Sequence, residues 1–215
     1  MSGFEKAKTS IEGEVQKKEY EKGTLFFADS DRKVRILWTM EILIGRDPVC
    51  DIVLSDNRVS RKHAVVHLDS DGAKLVDLMS SNGTTRNGMK VEGTIILNNG
   101  DKLVVGGAVE IDVKIRENKD TETPISLLLK VENTEYLLTQ TEVLIGRNPE
   151  AVDIVVNDLL VSTLHAQLEF IYKDAVLTCL DPEKKMLVNN SPMNGAQLKD
   201  TDSIQLGSTK MMWRY

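Results

Sequence analysis

The stretch Glu41-Ile42-Leu43-Ile44-Gly45-Arg46-Asp47-Pro48 returns as Glu142-Val143-Leu144-Ile145-Gly146-Arg147-Asn148-Pro149, 101 positions further on. In both places an apolar run ends in Gly-Arg, the pattern of a strand that opens into a polar turn. Beyond it, Asp51-Ile52-Val53-Leu54 matches Asp153-Ile154-Val155-Val156, Val59-Ser60 matches Val161-Ser162, and His63-Ala64 matches His165-Ala166, now 102 positions apart. Leu97, Asp101 and Gly106 find Leu198, Asp202 and Gly207, again at 101. A period of this length is a whole domain rather than a solenoid unit. Two homologous modules in tandem are expected.

Between these blocks the chain reads as strand and turn throughout. Ala64 to Leu68 and Ala73 to Leu78 flank Asp69-Ser70-Asp71-Gly72, a hairpin signal, and Gln167 to Tyr172 with Val176 to Leu180 repeat it. Asn87-Gly88 and Asn98-Asn99-Gly100-Asp101 supply further tight turns. Met211-Met212-Trp213 reads as the last strand of the second module. The expected fold class is all-β, with two tandem antiparallel β-sandwiches. The expected boundaries are a polar tail or marginal helix at 1–23, a first module at 24–116, a linker at 117–124 and a second module at 125–215. In the tail, Phe4, Ala7, Ile11 and Val15 fall at helical spacing, and Gly23 would stop a helix.

Composition narrows the function. The 27 Lys plus Arg against 33 Asp plus Glu give a net charge of −6, unsuited to broad binding of nucleic acid or an anionic membrane. Aromatics at 5% argue against base-stacking platforms. Cys50 and Cys179 stand apart, with no CxxC and no nearby His, and fit a reduced protein with buried thiols. No apolar run reaches the length of a membrane span, so a soluble, cytoplasmic protein without membrane insertion is expected. With three histidines and two distant cysteines, no metal constellation forms, and no cofactor is expected.

The polar loops of the first module hold the chemistry. Arg46 leaves one strand end, Ser60-Arg61 precede another strand, and Ser80-Ser81-Asn82-Gly83-Thr84 leave a third. Loops at one end of a sandwich gather into a single surface. Two guanidinium groups, hydroxyls and an amide there are donors for a phosphate-sized anion. Arg58, Lys62 and Arg86 add to the same local positive cluster. Ser60-x-x-His63 and Ser162-x-x-His165 are not read as nucleophile and base, since no orienting acid, oxyanion hole or Gly-x-Ser-x-Gly elbow accompanies them. No catalytic residue and no enzymatic activity are expected.

Gly45-Arg46, Ser60-Arg61-x-His63 and Ser81-Asn82-Gly83-Thr84-x-x-Asn87, with the Leu97…Gly100-Asp101…Gly106 tail, resemble the forkhead-associated (FHA) domain. The resemblance covers about residues 24–116 and, in weaker form, 125–215. It implies a β-sandwich that recognises phosphothreonine in extended peptides of kinase-phosphorylated partners. Carried over by position, Arg46 and Ser60 would hold the phosphate, Arg61 and Ser81 would assist, and Asn82 would fix the peptide main chain. Gly45, His63, Gly83, Thr84 and Asn87 would shape the loops. Arg58 is expected to favour an acidic residue downstream of the phosphothreonine. One buried methyl, about 0.8 kcal/mol, would separate phosphothreonine from phosphoserine.

The second copy departs from this pattern. It keeps Arg147, Ser162 and His165, but Leu160 replaces Arg58, Thr163 replaces Arg61 and Leu164 replaces Lys62. Counting from Asp181 to Asn189, its third loop also reads as shortened and lacks the Ser-Asn-Gly-Thr block. A degenerate module with a partial site at Arg147 and Ser162 is expected, offering Leu159, Leu160 and Leu164 as an apolar face. The partners implied are phosphothreonine proteins and a Ser/Thr kinase; phosphorylation of Thr9, Thr121 or Thr123 would provide an intramolecular ligand. The alternative is a phosphate-independent scaffold within a larger assembly, as in a bacterial secretion apparatus.

Overall fold

The computed structural model describes residues 21–117, 124–139, 141–172 and 174–215. Thr9, Thr121, Thr123, the helical spacing at 4–15 and most of the expected linker lie outside the described residues. The first repeat supplies strands β1 (Glu21–Phe27), β2 (Lys33–Leu37), β3 (Glu41–Gly45), β4 (Ile52–Val53), β5 (Ala64–Asp69), β6 (Gly72–Asp77), β7 (Thr84–Arg86), β8 (Met89–Lys90), β9 (Thr94–Leu97), β10 (Lys102–Val105) and β11 (Val109–Glu117). The second supplies β12 (Pro124–Val131), β13 (Thr134–Thr139), β14 (Val143–Gly146), β15 (Ile154–Val155), β16 (Ala166–Ile171), β17 (Asp174–Cys179), β18 (Met186–Val188), β19 (Ser191–Met193), β20 (Gly195–Leu198), β21 (Ser203–Leu206) and β22 (Thr209–Arg214). The all-β architecture holds, and no helix among the described residues is long and apolar enough to cross a membrane.

The strand pairing differs from one sandwich per repeat. Each repeat keeps its own five-stranded sheet, β4-β3-β5-β6-β9 and β15-β14-β16-β17-β20. The other sheet is shared and has twelve strands, ordered β19-β18-β21-β22-β1-β2-β13-β12-β11-β10-β7-β8. Hairpin β1–β2 therefore pairs with the last strand of the second repeat, Leu25 opposite Trp213. Hairpin β12–β13 pairs with the last strand of the first, Leu127 opposite Ile115. The two repeats exchange their opening hairpins. Gly23, expected to end a helix, lies within β1, where a Cβ would come within 2.3 Å of the Trp213 ring.

The cores follow the exchange. Leu127, Leu129, Val131, Tyr136 and Leu138 join Ile42, Ile44, Ala64, Val66 and Leu103 in one core. Leu25, Phe27, Val34 and Ile36 join Ile145, Leu168, Leu177 and Trp213 in the other. Neighbouring strand residues point to opposite faces, so Leu127 and Leu129 face one core while Leu128 faces the other. The middle of the shared sheet is covered on both faces. That is why Leu127-Leu128-Leu129 and Tyr136-Leu137-Leu138 run apolar without alternation.

At the centre β2 and β13 run parallel, with Lys33 opposite Thr134, positions related by the repeat itself. Both sets of polar loops consequently lie at the same ends of the shared strands, on opposite faces of the sheet. Polar contacts lock the junction. Arg116 Nε donates to Asp153 Oδ1 at 2.7 Å, and Ser126 Oγ donates to the same oxygen. Arg32 grips Glu135 through two hydrogen bonds of 2.9 and 2.8 Å and reaches the Val155 carbonyl at 2.6 Å. Trp38 meets Phe170 edge-on, ring centroids 5.6 Å apart.

Candidate functional site

At the loop end of the first repeat's five-stranded sheet, a shallow cleft is lined by Arg46, Asp47, Asn57, Arg58, Val59, Ser60, Arg61, Lys62, Ser81 and Asn82. Backbone geometry builds it. Arg46 N donates to Ser60 O and Asp47 N to Arg61 O, both at 3.0 Å, so the loop after β3 is laced to the loop before β5. Closeness requires Gly45: a Cβ there would sit 2.3 Å from the Arg61 carbonyl oxygen and 2.9 Å from Cys50 Sγ. Gly106 plays the matching part in the loop after β10, with φ +66 and 2.7 Å between a would-be Cβ and Arg58 O.

His63 is fully buried and satisfied on both sides of its ring. Ser60 N donates to Nδ1 at 3.0 Å, which leaves the proton on Nε2, and Nε2 donates to Gly83 O at 3.1 Å. The ring thus ties two loops together. Asp77 fixes the third loop from inside. Its carboxylate accepts from Ser80 N and Ser80 Oγ at 2.8 Å each and from Thr84 Oγ1 at 2.7 Å. Burial opposes its ionisation, but those donors prevail and hold its pKa below the ordinary value.

The ligand-facing groups stand on this frame. Ser60 Oγ accepts from Ser81 N at 3.0 Å, which orients the hydroxyl and leaves its proton for an anion. Arg46 Nε donates to Val59 O at 3.2 Å, fixing the guanidinium at the cleft edge. Arg61 and Lys62 are exposed beside it. Asn82 Nδ2 donates to Arg58 O at 2.8 Å and carries its amide across the cleft. The arrangement offers planar and hydroxyl donors to one tetrahedral anion with an amide alongside.

Two residues of the expected cluster behave differently. Arg58 lines the cleft, but its guanidinium is held by Asp56 through Nε at 3.0 Å and a terminal nitrogen at 2.8 Å. The Arg58 contacts hold the Asp56 pKa at about 2, so the charge of Arg58 is largely countered within its own loop. Arg86 is not in the cleft. It lies on β7 and donates to Ile96 O at 2.6 Å, with Asp101 at 3.6 Å. Asn87 is structural, at φ 51, bridging Asp101 and Lys102 N at 2.7 and 2.9 Å. Asp77, Asn57 and Asp56 are the residues that sequence reasoning passed over; the Asp56-x-Arg58 spacing was the available signal for the last.

In the second repeat the same frame recurs. Arg147 N donates to Ser162 O at 2.8 Å, Arg147 Nε to Val161 O at 3.1 Å and Ser162 N to His165 Nδ1 at 3.2 Å. The third loop is not shortened. Ala64 pairs with Asp77 and Ala166 with Cys179, so Cys179 and not Asp181 is the counterpart of Asp77. The 102-residue offset then runs unbroken to Asn87 and Asn189, and Glu183 and Lys184 stand where Ser81 and Asn82 do. His165 Nε2, the counterpart of the His63 nitrogen that donates to Gly83 O, is buried with no hydrogen-bond partner, and burial lowers its pKa. Leu159, Leu160 and Leu164 are exposed at 87%, 58% and 37%.

Residues 42–106, which contain every strand and loop of this cleft, match the family model described as FHA domain. The chain carries an FHA domain. Residues 131–214 match a different description, the cytoplasmic domain of the inner membrane component of the type III secretion system. Over 85 residues the chain is 40% identical to the serine/threonine-protein kinase RAD53 of Saccharomyces cerevisiae, covering 38% of this chain and 10% of that protein. Over 62 residues it is 42% identical to the glycogen accumulation regulator GarA of Mycobacterium tuberculosis, covering 29% of this chain and 38% of GarA. The chain thus spans less than half the length of these relatives. Among solved structures, one from a study of phosphothreonine-dependent FHA domain interactions is 28% identical, covering 39% of this chain and 86% of that chain, with a TM-score of 0.36.

Proposed function

We propose that the FHA domain formed around the first repeat binds phosphothreonine in an extended segment of a kinase-phosphorylated partner, as a non-enzymatic adaptor. The observation that carries this reading is the joint placement of Arg46, Ser60, Arg61 and Asn82 on one cleft by hydrogen bonds that leave the Ser60 proton unused. Charge-assisted hydrogen bonds contribute roughly 1.5–3 kcal/mol each, and two or three of them, less ordering costs, give affinity on the order of micromolar. Arg46 and Ser60 hold the phosphate, Arg61 and Ser81 assist, and Asn82 engages the peptide backbone. The second repeat, with Arg147 and Ser162 but Lys184 in place of Asn82, serves as a protein-contact module.

The test is binding of a phosphothreonine peptide library to the full chain by fluorescence anisotropy, with dephosphorylated peptides and Arg46→Ala as controls. Phosphate-dependent binding lost in Arg46→Ala is the expected result. Its absence would favour a second reading, a phosphate-independent scaffold, which draws support from the match of residues 131–214 to a secretion-system cytoplasmic domain.

A further inference from the structure

The two loop sets differ most in where they keep a carboxylate. In the first repeat Asp77 sits at the end of β6 and clamps Ser80 and Thr84 from within. In the second, Cys179 takes that place and a carboxylate reappears two residues later, as Asp181, where the first repeat has Met79. Met79 is 97% exposed and bonds nothing in the cleft. Asp181 turns inward. Ser162 Oγ donates to Asp181 Oδ2 at 2.5 Å, so the hydroxyl proton left unused on Ser60 is taken on Ser162.

The remainder of the seat is retained. Arg147 is fixed by the same pair of backbone carbonyls as Arg46, and the serine by the same histidine nitrogen. Lys184 and Lys185 are exposed in the third loop, adding cations where the first repeat has Asn82 and Gly83. A seat with an arginine and an oriented serine hydroxyl, with Lys184 acting electrostatically on Asp181 beside it, is built for an anion, and an anion from the chain itself occupies its serine. We propose that the second loop set is a latent phosphate-monoester site, closed by the Asp181 carboxylate standing in for the ligand. Asp181 excludes phosphate both by taking the Ser162 proton and by like charge. The proposal rests on reading the Arg46–Ser60 cleft as a phosphate seat.

The test uses the full chain with the first cleft disabled, Arg46→Ala, and a phosphothreonine peptide and inorganic phosphate as probes. Asp181 also caps a turn through Glu183 N at 3.0 Å. Asp181→Met, which restores the residue of the first repeat, is therefore run beside Asp181→Ala, with circular dichroism to verify the fold. Either double variant is expected to bind the peptide at least about tenfold more tightly than Arg46→Ala alone, and adding Arg147→Ala should abolish the gain. A gain for the peptide without one for inorganic phosphate would assign the site to phosphorylated protein. No gain in folded double variants, or a gain that survives Arg147→Ala, would overturn the proposal. Failure of the first-cleft reading shows separately, as an unsubstituted chain that binds no better than Arg46→Ala.

Discussion

Ser60 Oγ and Ser81 N lie 3.0 Å apart, and that hydrogen bond joins the loop before β5 to the loop after β6 across the candidate phosphate seat. Ser60→Ala removes both the loop tie and the proton offered to the ligand. A neutral hydrogen bond contributes about 1 kcal/mol and one to a charged group about 1.5–3. Affinity for a phosphothreonine peptide should fall roughly tenfold to a hundredfold, with a small change in the denaturation midpoint because Ser60 is half-buried. Equal peptide affinity in calorimetry would remove Ser60 from the site.

Gly45→Ala acts through packing. The added methyl would lie 2.3 Å from the Arg61 carbonyl oxygen, a backbone atom that cannot swing aside. Forcing the two loops apart should cost about 1–3 kcal/mol of stability, and peptide binding should weaken with it. Gly146→Ala meets Thr163 O at 2.5 Å and should destabilise comparably while leaving the first cleft's affinity intact. Urea titrations of the two variants, paired with binding assays, separate these effects.

Acid should weaken binding through the ligand before it reaches the protein's loop. A phosphothreonine loses its second charge near pH 6, so affinity is expected to drop as pH falls through that value. Asp56, held at about 2 by the Arg58 contacts, stays ionised there. Its folded pKa is depressed, so the stability it adds is present above the ordinary carboxylate range and is lost only as pH falls from about 4 towards 2. Binding measured between pH 7.5 and 5 with Asp56→Asn alongside should show the same midpoint for both proteins.

Arg116→Ala tests the junction. Asp153 is fully buried and takes its ion-pair partner from the other repeat. Removing the guanidinium leaves a buried charge uncompensated, at a cost of about 3–5 kcal/mol. The expected reading is a lower thermal midpoint for the whole chain. An unchanged midpoint would mean that the junction contributes little to stability.

Deleting residues 1–38 tests the exchange of hairpins. The second core loses Leu25, Phe27, Val34 and Ile36, whereas the first loses Leu37 alone. Of the two tryptophans only Trp213 then remains, and it lies in the second core. Its fluorescence should shift to that of a solvated indole while the first cleft still binds peptide. A buried Trp213 in the shortened chain would show that the β1–β2 hairpin is dispensable to the second repeat.

Much of this architecture is legible in the sequence. The Gly-Arg, Ser-Arg-x-His and Ser-Asn-Gly-Thr blocks fall where turns must be, and the structure brings their residues to one cleft. The exchange of hairpins was hidden because both hairpins derive from the same repeat position, so either pattern suits either sandwich. The one available trace was the unbroken apolar run of Leu127, Leu128 and Leu129, which marks burial on both faces rather than one. The misread third loop had a simpler cause. Asp181 matches Asp77 in residue type, and only the strand register shows that Cys179 occupies the position.

Hairpin β1–β2 also bears on how the protein is made. Thr24 pairs with Arg214, so hairpin β1–β2 must wait for a strand that leaves the ribosome long after it. At roughly 5–20 residues per second that interval is on the order of ten seconds or more. The first sandwich can close once β13 has emerged, but the second is the last to close. For that time β1 presents an unpaired strand edge bearing Leu25, Phe26 and Phe27. Such edges are where nascent chains join one another, so slowing translation between β2 and β22 should promote aggregation.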